Sequence, residues 1–391
     1  MQAVSRSALT QFLRRAGSAA LCAVGLWAAT AVACTDVMVP PDPTKLRQVV
    51  SARTLDFPLV DVSAVTEVKL QAFERGRLWQ SDWTTRGNGK QWRNPYGFVA
   101  MHTMKQVTDR LGVGLLMIDG LNEPGLSAAF LWLWATQYPA MPRRADVSVS
   151  FVDAIAYILG NFGTVAEVKT ALTDPRNPQY FEIWGERALG ELAPLHLIVR
   201  DGRGKSMIVE WIDRRQLIYD GPEVDDVGVL TNDPPYPQQV QELQKNYADV
   251  TPEDGLLGIP GDPTYQSRFI RIAKLREFAH MKRGPLPLDA LQVAAHLINN
   301  ADVVYGTNRE YFGKGRSMDD YSGPTLIRDH RGRVLYFKGH NNQSYRKIDL
   351  ARIRFGQALS ASILADPLPT DPIFWEYQFG QDVSDMLNPR P

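Results

Sequence analysis

Cysteine is scarce in this sequence. Only Cys22 and Cys34 occur among 391 residues. The chain beyond residue 34 therefore holds no internal disulfide, and its stability rests on the large core that a chain of this length can bury. An excess of either charge is also missing. The 43 Lys and Arg residues balance 43 Asp and Glu, which argues against a nucleic-acid partner. Several catalytic signatures are absent as well. There is no H-E-x-x-H zinc motif, and the six His residues are scattered. There is no G-x-S-x-G nucleophile elbow. Gly204-Lys205-Ser206 matches the end of a P-loop, but Val199 stands where its first glycine belongs. No metal or organic cofactor is expected. Repeats, low-complexity tracts and linkers are lacking too, so residues 34–391 read as one domain, with a Pro-rich extension from about 366.

What is present begins at the N-terminus. Arg6, Arg14 and Arg15 precede an uncharged stretch from Ala16 to Thr35 that ends in Ala31-Val32-Ala33. A basic segment, an apolar run and a small-x-small site together read as a secretory signal cut after Ala33. The expected location is the periplasm, with Sec and twin-arginine export both open. A membrane anchor is the rival reading, disfavoured because a run of Ala, Gly and Ser is weakly hydrophobic, so no lasting membrane association is expected. A lipid-anchored binding protein is another alternative, with Cys34 as the lipidated residue. Ala31 then stands where such sites usually carry Leu.

Strand-like alternation marks 49–57, 64–73 and 98–104. The run 112–134 reads as strand, turn, strand, with the turn in Asp119 to Gly125. Helical periodicity follows at 151–162 and at 164–174, where Thr164 and Glu167 have capping-box spacing. Strands return at 195–201, 206–212, 216–220 and 227–232. Helices are expected at 266–281 and 287–300, and a hairpin at 325–329 and 333–338. Strands in groups and helices in groups predict an α+β protein with antiparallel sheets covered by helices.

Cleavage after Ala33 would place the one retained cysteine at a new N-terminus. An α-amine has a reference pKa of about 7.7–8.0, so part of it is neutral near pH 7. It can take the thiol proton and later protonate a leaving amine, making it a base built into the nucleophile. The chain then resembles the choloylglycine hydrolase family of N-terminal-nucleophile hydrolases, which includes conjugated bile acid hydrolases and penicillin V acylases. The resemblance rests on Cys34-Thr35, the run Ala52 to Phe57, the run Asp119 to Leu126, the run Leu195 to Gly202, the run Val229 to Pro234, and Gly258 to Asp262 followed by Ser267-Arg268-Phe269. It spans roughly Cys34 to Leu350.

The resemblance implies a four-layer αββα sandwich and hydrolysis of linear amides through a thioester acyl-enzyme. By motif, Cys34 is the nucleophile. Arg53 is the arginine beside the sulfur, where a cation favours thiolate; the residues alone equally allow an ion pair with Asp56. Asp56 is the carboxylate that orients the terminal amine. Asn232 is an oxyanion-hole donor, and Arg268 is the second active-site arginine. Trp132 stands where bile salt hydrolases usually carry Asn and Gram-positive penicillin acylases Tyr. With Trp134 and Tyr138 it suggests an apolar, aromatic acyl site, while ordinary core remains the alternative for the latter two. The segment between Asn232 and Arg268 is shorter than in Gram-positive members, where it holds an assembly loop, so a homo-oligomer stays open. These features resemble the Gram-negative branch. They imply a small N-acyl amide substrate, such as penicillin V or a long-chain acyl homoserine lactone, with a conjugated bile salt as the alternative.

Overall fold

The computed structural model describes residues 34–40, 48–58, 68–81, 89–102, 115–185, 193–281, 289–311, 317–366 and 380–389. Residues 1–33, where a signal segment is expected, and parts of the strand-like runs at 64–73, 98–104 and 112–134, lie outside these.

Two large antiparallel sheets form the centre. The first runs in the order Val229–Leu230, Cys34–Met38, Val50–Pro58, Ser317–Asp329, Val334–Lys338 and Arg346–Asp349, with Asn308–Tyr311 also on Ser317–Asp329. The second runs Arg215–Asp220, Ser206–Ile212, Leu195–Arg200, Ser127–Trp132, Met117–Asn122, Phe98–His102, Lys69–Phe73 and Ser362–Leu364. The central strands of both sheets are buried on their two faces. Among their apolar residues stand the charged Asp36, Asp119 and Arg200, each of which finds a buried partner of opposite sign.

Helices cover the outer faces. Helix α1 (Phe151–Asn161) and α2 (Val165–Thr173) lie on the second sheet. Phe151, Ile155, Ile158 and Leu159 of α1 are buried, each contributing roughly 1.5–3 kcal/mol by the area it removes from water. The approach is close: a side chain at Gly120 would meet Leu159 Cδ1 at 2.5 Å and Val99 O at 2.7 Å. The capping box at the start of α2 forms as expected, Glu167 N–H donating to Thr164 Oγ1 at 3.3 Å and the Thr164 N–H to Glu167 Oε2 at 3.1 Å. A short α3 (Pro222–Asp225), α4 (Tyr236–Tyr247), α5 (Tyr265–Met281) and α6 (Ala290–Asn299) follow, with α5 and α6 packed on the first sheet. The molecule is the expected four-layer αββα sandwich.

Some expectations need correcting. The turn placed in Asp119 to Gly125 is shorter, because Asp119 to Asn122 continue the strand. Asp119 stays in a buried strand because two arginines satisfy its carboxylate. The chain turns at Gly125, whose φ of +94° and whose 2.1 Å clearance from His330 O to a Cβ both exclude a side chain. The strand at 227–232 shortens to Val229–Leu230, which frees Thr231 and Asn232 from the ladder. Helix α4 lacks an expectation altogether. Pro237 in its first turn and the apolar series Tyr236, Val240, Leu243, Tyr247 are the signals for it. In the C-terminal extension, Asp382 bridges to Lys347 and Gly380 N–H donates to Tyr345 O at 2.6 Å, so residues 380–389 pack on the edge of the first sheet.

Candidate active site

Cys34 opens the first strand, in register with Leu55, while Asp36 lies opposite Arg53. Directly opposed residues share a face and alternate ones return to it. Cys34, Asp36 and Arg53 thus all point between the sheets. Cys34 is 1% exposed and Arg53 fully buried.

Arg53 crosses to the second sheet. Its Nη1 donates to Ile118 O at 2.7 Å and to Asp119 Oδ2 at 3.1 Å. Its Nη2 donates to Phe130 O at 2.6 Å and to Cys34 Sγ at 3.4 Å. Carbonyls fix the guanidinium in place, and its remaining donor faces sulfur. Its ion pair is with Asp119 rather than Asp56, since Asp56 has the opposite parity on the strand. Burial pushes the Cys34 thiol above its ordinary range. Arg53 opposes that rise, Asp56's charge adds to it, and the Asp56 main-chain N–H and the Arg53 side chain both hydrogen-bond to the sulfur and favour thiolate.

Asp56 turns toward the helix layer. Its carboxylate accepts from Arg268 Nη1 on α5, from Ser322 Oγ at 2.5 Å and from Thr54 Oγ1 at 3.3 Å. Ser322 reaches it because the register shifts between Ser322 and Thr325, a bulge that re-aims the side chain. Burial pushes the Asp56 carboxyl up to about 6 even with Arg268 against it. Arg268 is fully buried, and its Nε and Nη2 have no protein partner.

Asn232 holds the main chain of the cysteine. Its Oδ1 accepts from Cys34 N–H at 2.5 Å, and its Nδ2 donates to Trp132 O at 3.1 Å. The Cys34 nitrogen donates to Asn232, while the Asp56 carboxylate accepts from Arg268, Ser322 and Thr54. Trp132 ends its strand, 8% exposed, with an indole N–H that has no protein partner. Its ring meets Trp134 edge-on at 5.1 Å. Trp134 is half-buried, and its N–H donates to Asp233 Oδ1 at 3.1 Å. Tyr138 does not join this group. It stacks on Phe151 of α1 at 4.5 Å and lies 5.0 Å from Trp211, and its hydroxyl bonds Leu195. The α1 side of the second sheet makes it core.

The structure therefore brings together Cys34, Arg53, Asp56, Asn232, Arg268 and the Trp132–Trp134 pair. It adds Asp119, Ser322 and Thr54, which residue patterns did not single out. Ser322-Gly323-Pro324 inside a strand was the legible signal for the bulge. Among the described residues no group of three or more His, Cys, Asp or Glu is placed to hold a metal ion. None of the described helices is long and apolar enough to cross a membrane. A thiol with a fixed cation at its sulfur and a carboxamide at its main-chain nitrogen is suited to attack a carbonyl.

Comparison with known proteins agrees. Residues 34–355 match the family described as linear amide C–N hydrolases, choloylglycine hydrolase family. The penicillin V acylase of Pectobacterium atrosepticum is 28% identical over 356 residues, covering 86% of this chain and 85% of that protein. The bile salt hydrolase/transferase of Clostridium perfringens is 29% identical over 254 residues, covering 59% of this chain and 72% of that protein. The solved penicillin V acylase from Agrobacterium tumefaciens superposes with a TM-score of 0.65 at 25% identity, over 84% of this chain and 90% of that one. The chain belongs to the choloylglycine hydrolase family and is a hydrolase of linear amide C–N bonds.

Proposed function

We propose that the active enzyme begins at Cys34 after export and signal removal, and that it cleaves N-acyl amides carrying apolar aromatic or long-chain acyl groups. The observation that carries this is the placement of one guanidinium nitrogen at Cys34 Sγ and one carboxamide at Cys34 N. The Cys34 α-amine, once free, takes the thiol proton as sulfur attacks the substrate carbonyl. The C–S bond forms and the carbonyl oxygen becomes an oxyanion. Asn232 Nδ2 and the unpartnered Trp132 indole N–H are the donors at hand for it. The amine then gives its proton to the leaving nitrogen, the C–N bond breaks, and a thioester remains. Water hydrolyses the thioester to the carboxylic acid and restores the thiol. Asn232, which accepts from the Cys34 nitrogen, aims the amine's lone pair; Asp56 fixes Arg268 beside it.

The apolar Trp132–Trp134 pair favours acyl groups without hydroxyls, since a buried hydroxyl left unpaired costs roughly 1–3 kcal/mol. The length over which the P. atrosepticum penicillin V acylase matches supports the same choice. Hydrolysis of penicillin V, a long-chain acyl homoserine lactone and glycocholate, measured side by side, tests it. One of the first two should exceed glycocholate in kcat/KM by at least about tenfold, or about 1.4 kcal/mol of transition-state binding. A preference for glycocholate would instead make this a bile salt hydrolase.

A further inference from the structure

Behind Arg53 runs a ladder of buried charges that the reaction does not touch. Asp119 Oδ2 receives Arg53 Nη1 at 3.1 Å, and its two oxygens also receive Arg328, Nε to Oδ1 at 2.9 Å and Nη2 to Oδ2. Arg328 Nη1 donates onward to Asp36 Oδ2 at 3.0 Å. Asp36 Oδ1 accepts from Arg200 Nε at 2.7 Å. The ladder ends where Arg200 donates to Ser206 Oγ at 2.6 Å and to Gly228 O at 3.0 Å. Every member is 1% exposed or less.

Its charges do not cancel. Arg53, Arg328 and Arg200 carry three positive charges, and Asp119 and Asp36 carry two negative ones. His330 contacts the ladder through Ser51, 2.9 Å from His330 Nε2, and burial holds its imidazole down to about 3, so it stays neutral. Arg276 of α5 stands near Arg200; it donates to the main-chain carbonyls of Met38, Asp225 and Asp226, and the Asp225 and Asp226 carboxylates act against its charge from the surface side. Beyond the sulfur, Asp56 and Arg268 form a balanced pair. The buried Glu210 pairs with His196 outside the ladder, and within the ladder one positive charge is left uncompensated, which is costly unless an anion joins it. The free end of the ladder is Arg53 Nη2, and its neighbour is Cys34 Sγ.

We propose that the unmatched charge of this ladder governs the ionisation of Cys34, with Asp36, Asp119, Arg200 and Arg328 acting through Arg53 as positioning residues for the nucleophile. Arg53 alone is largely neutralised by Asp119. The pull on the sulfur is therefore set by the sum along the ladder, and a substitution at its far end is felt at the near one. Opposite signs of substitution must give opposite effects, which loosened packing does not do. The consequence for turnover rests on Cys34 being the nucleophile; the ionisation itself does not.

Two experiments that ignore turnover test this. The first reads the Cys34 pKa from thiolate ultraviolet absorbance of the chain beginning at Cys34, as a difference against Cys34→Ala, so that the tyrosines cancel. Asp36→Asn should lower it by about one unit and Arg200→Gln, one link farther from the sulfur, should raise it by less, while the double variant falls between Asp36→Asn and the parent. Shifts in the same direction, or none, overturn the proposal. The second needs no ladder variant to fold. At neutral pH, Cys34→Asp should melt above Cys34→Asn, despite the repulsion from Asp56, because the aspartate supplies the missing negative charge. The gap should close in acid as that carboxylate protonates. Equal melting, or a more stable asparagine variant, overturns the proposal.

Discussion

Asn232 is the residue whose removal separates catalysis from architecture most clearly. Asn232→Ala deletes two buried hydrogen bonds at once, the acceptor for Cys34 N–H and the donor to Trp132 O. Leaving those main-chain groups unpaired costs about 1–3 kcal/mol each, so the variant should melt lower yet still fold. Loss of an oxyanion donor raises the barrier by about 2.7–4 kcal/mol, a fall in kcat of ~10²–10³. Little change in KM is expected, because the donor acts on charge that exists only in the transition state. Asn232→Asp is the control. It keeps an acceptor for Cys34 N–H but has no N–H to donate to the developing oxyanion, so its kcat should fall at least as far as that of the alanine variant. The assay is initial-rate hydrolysis of penicillin V, with thermal melts run on the same samples. A loss confined to KM, or a fall in kcat below about tenfold, would refute the oxyanion role. Full activity in Asn232→Asp would leave Asn232 only its grip on the Cys34 nitrogen.

Further outcomes follow from the same geometry. A chain retaining one extra residue before Cys34 should fold and be inactive, and Cys34→Ala should abolish turnover without unfolding; mass spectrometry of the N-terminus paired with the rate assay checks both, and full activity of the extended chain sinks the amine mechanism. Trp132→Ala should erode the preference for penicillin V or an acyl homoserine lactone over glycocholate, read as the ratio of kcat/KM values, whereas Tyr138→Ala should cost stability and leave that ratio alone. Asp56, raised to about 6 by burial, holds Arg268 most strongly when ionised. Below that pH the neutral carboxyl weakens the pair, so kcat/KM should climb as pH rises through about 6. Asp56→Asn should flatten that limb of the pH–rate profile.

Local chemistry made much of this protein legible from its residues. The capping box at Thr164 and Glu167 and the helical period of 151–162 follow from neighbours in sequence, and neighbours in sequence set local geometry. The ordered motifs carried the family, and with it Cys34, Arg53, Asp56, Asn232 and Arg268. Partners were another matter. Strand parity sends Arg53 between the sheets and Asp56 toward α5, so their ion pairs go to Asp119 and Arg268, 66 and 212 residues away. Tyr138 and Trp134 look alike on an alternating strand. Only the packing of α1 against the second sheet makes the first of them core. Ser322 enters the site through a bulge, and the charge ladder exists only where residues 36, 53, 119, 200 and 328 meet between the two sheets. Buried charges select partners by distance in space, across an interior that screens them less than bulk solvent does, and that distance is fixed by the tertiary fold alone.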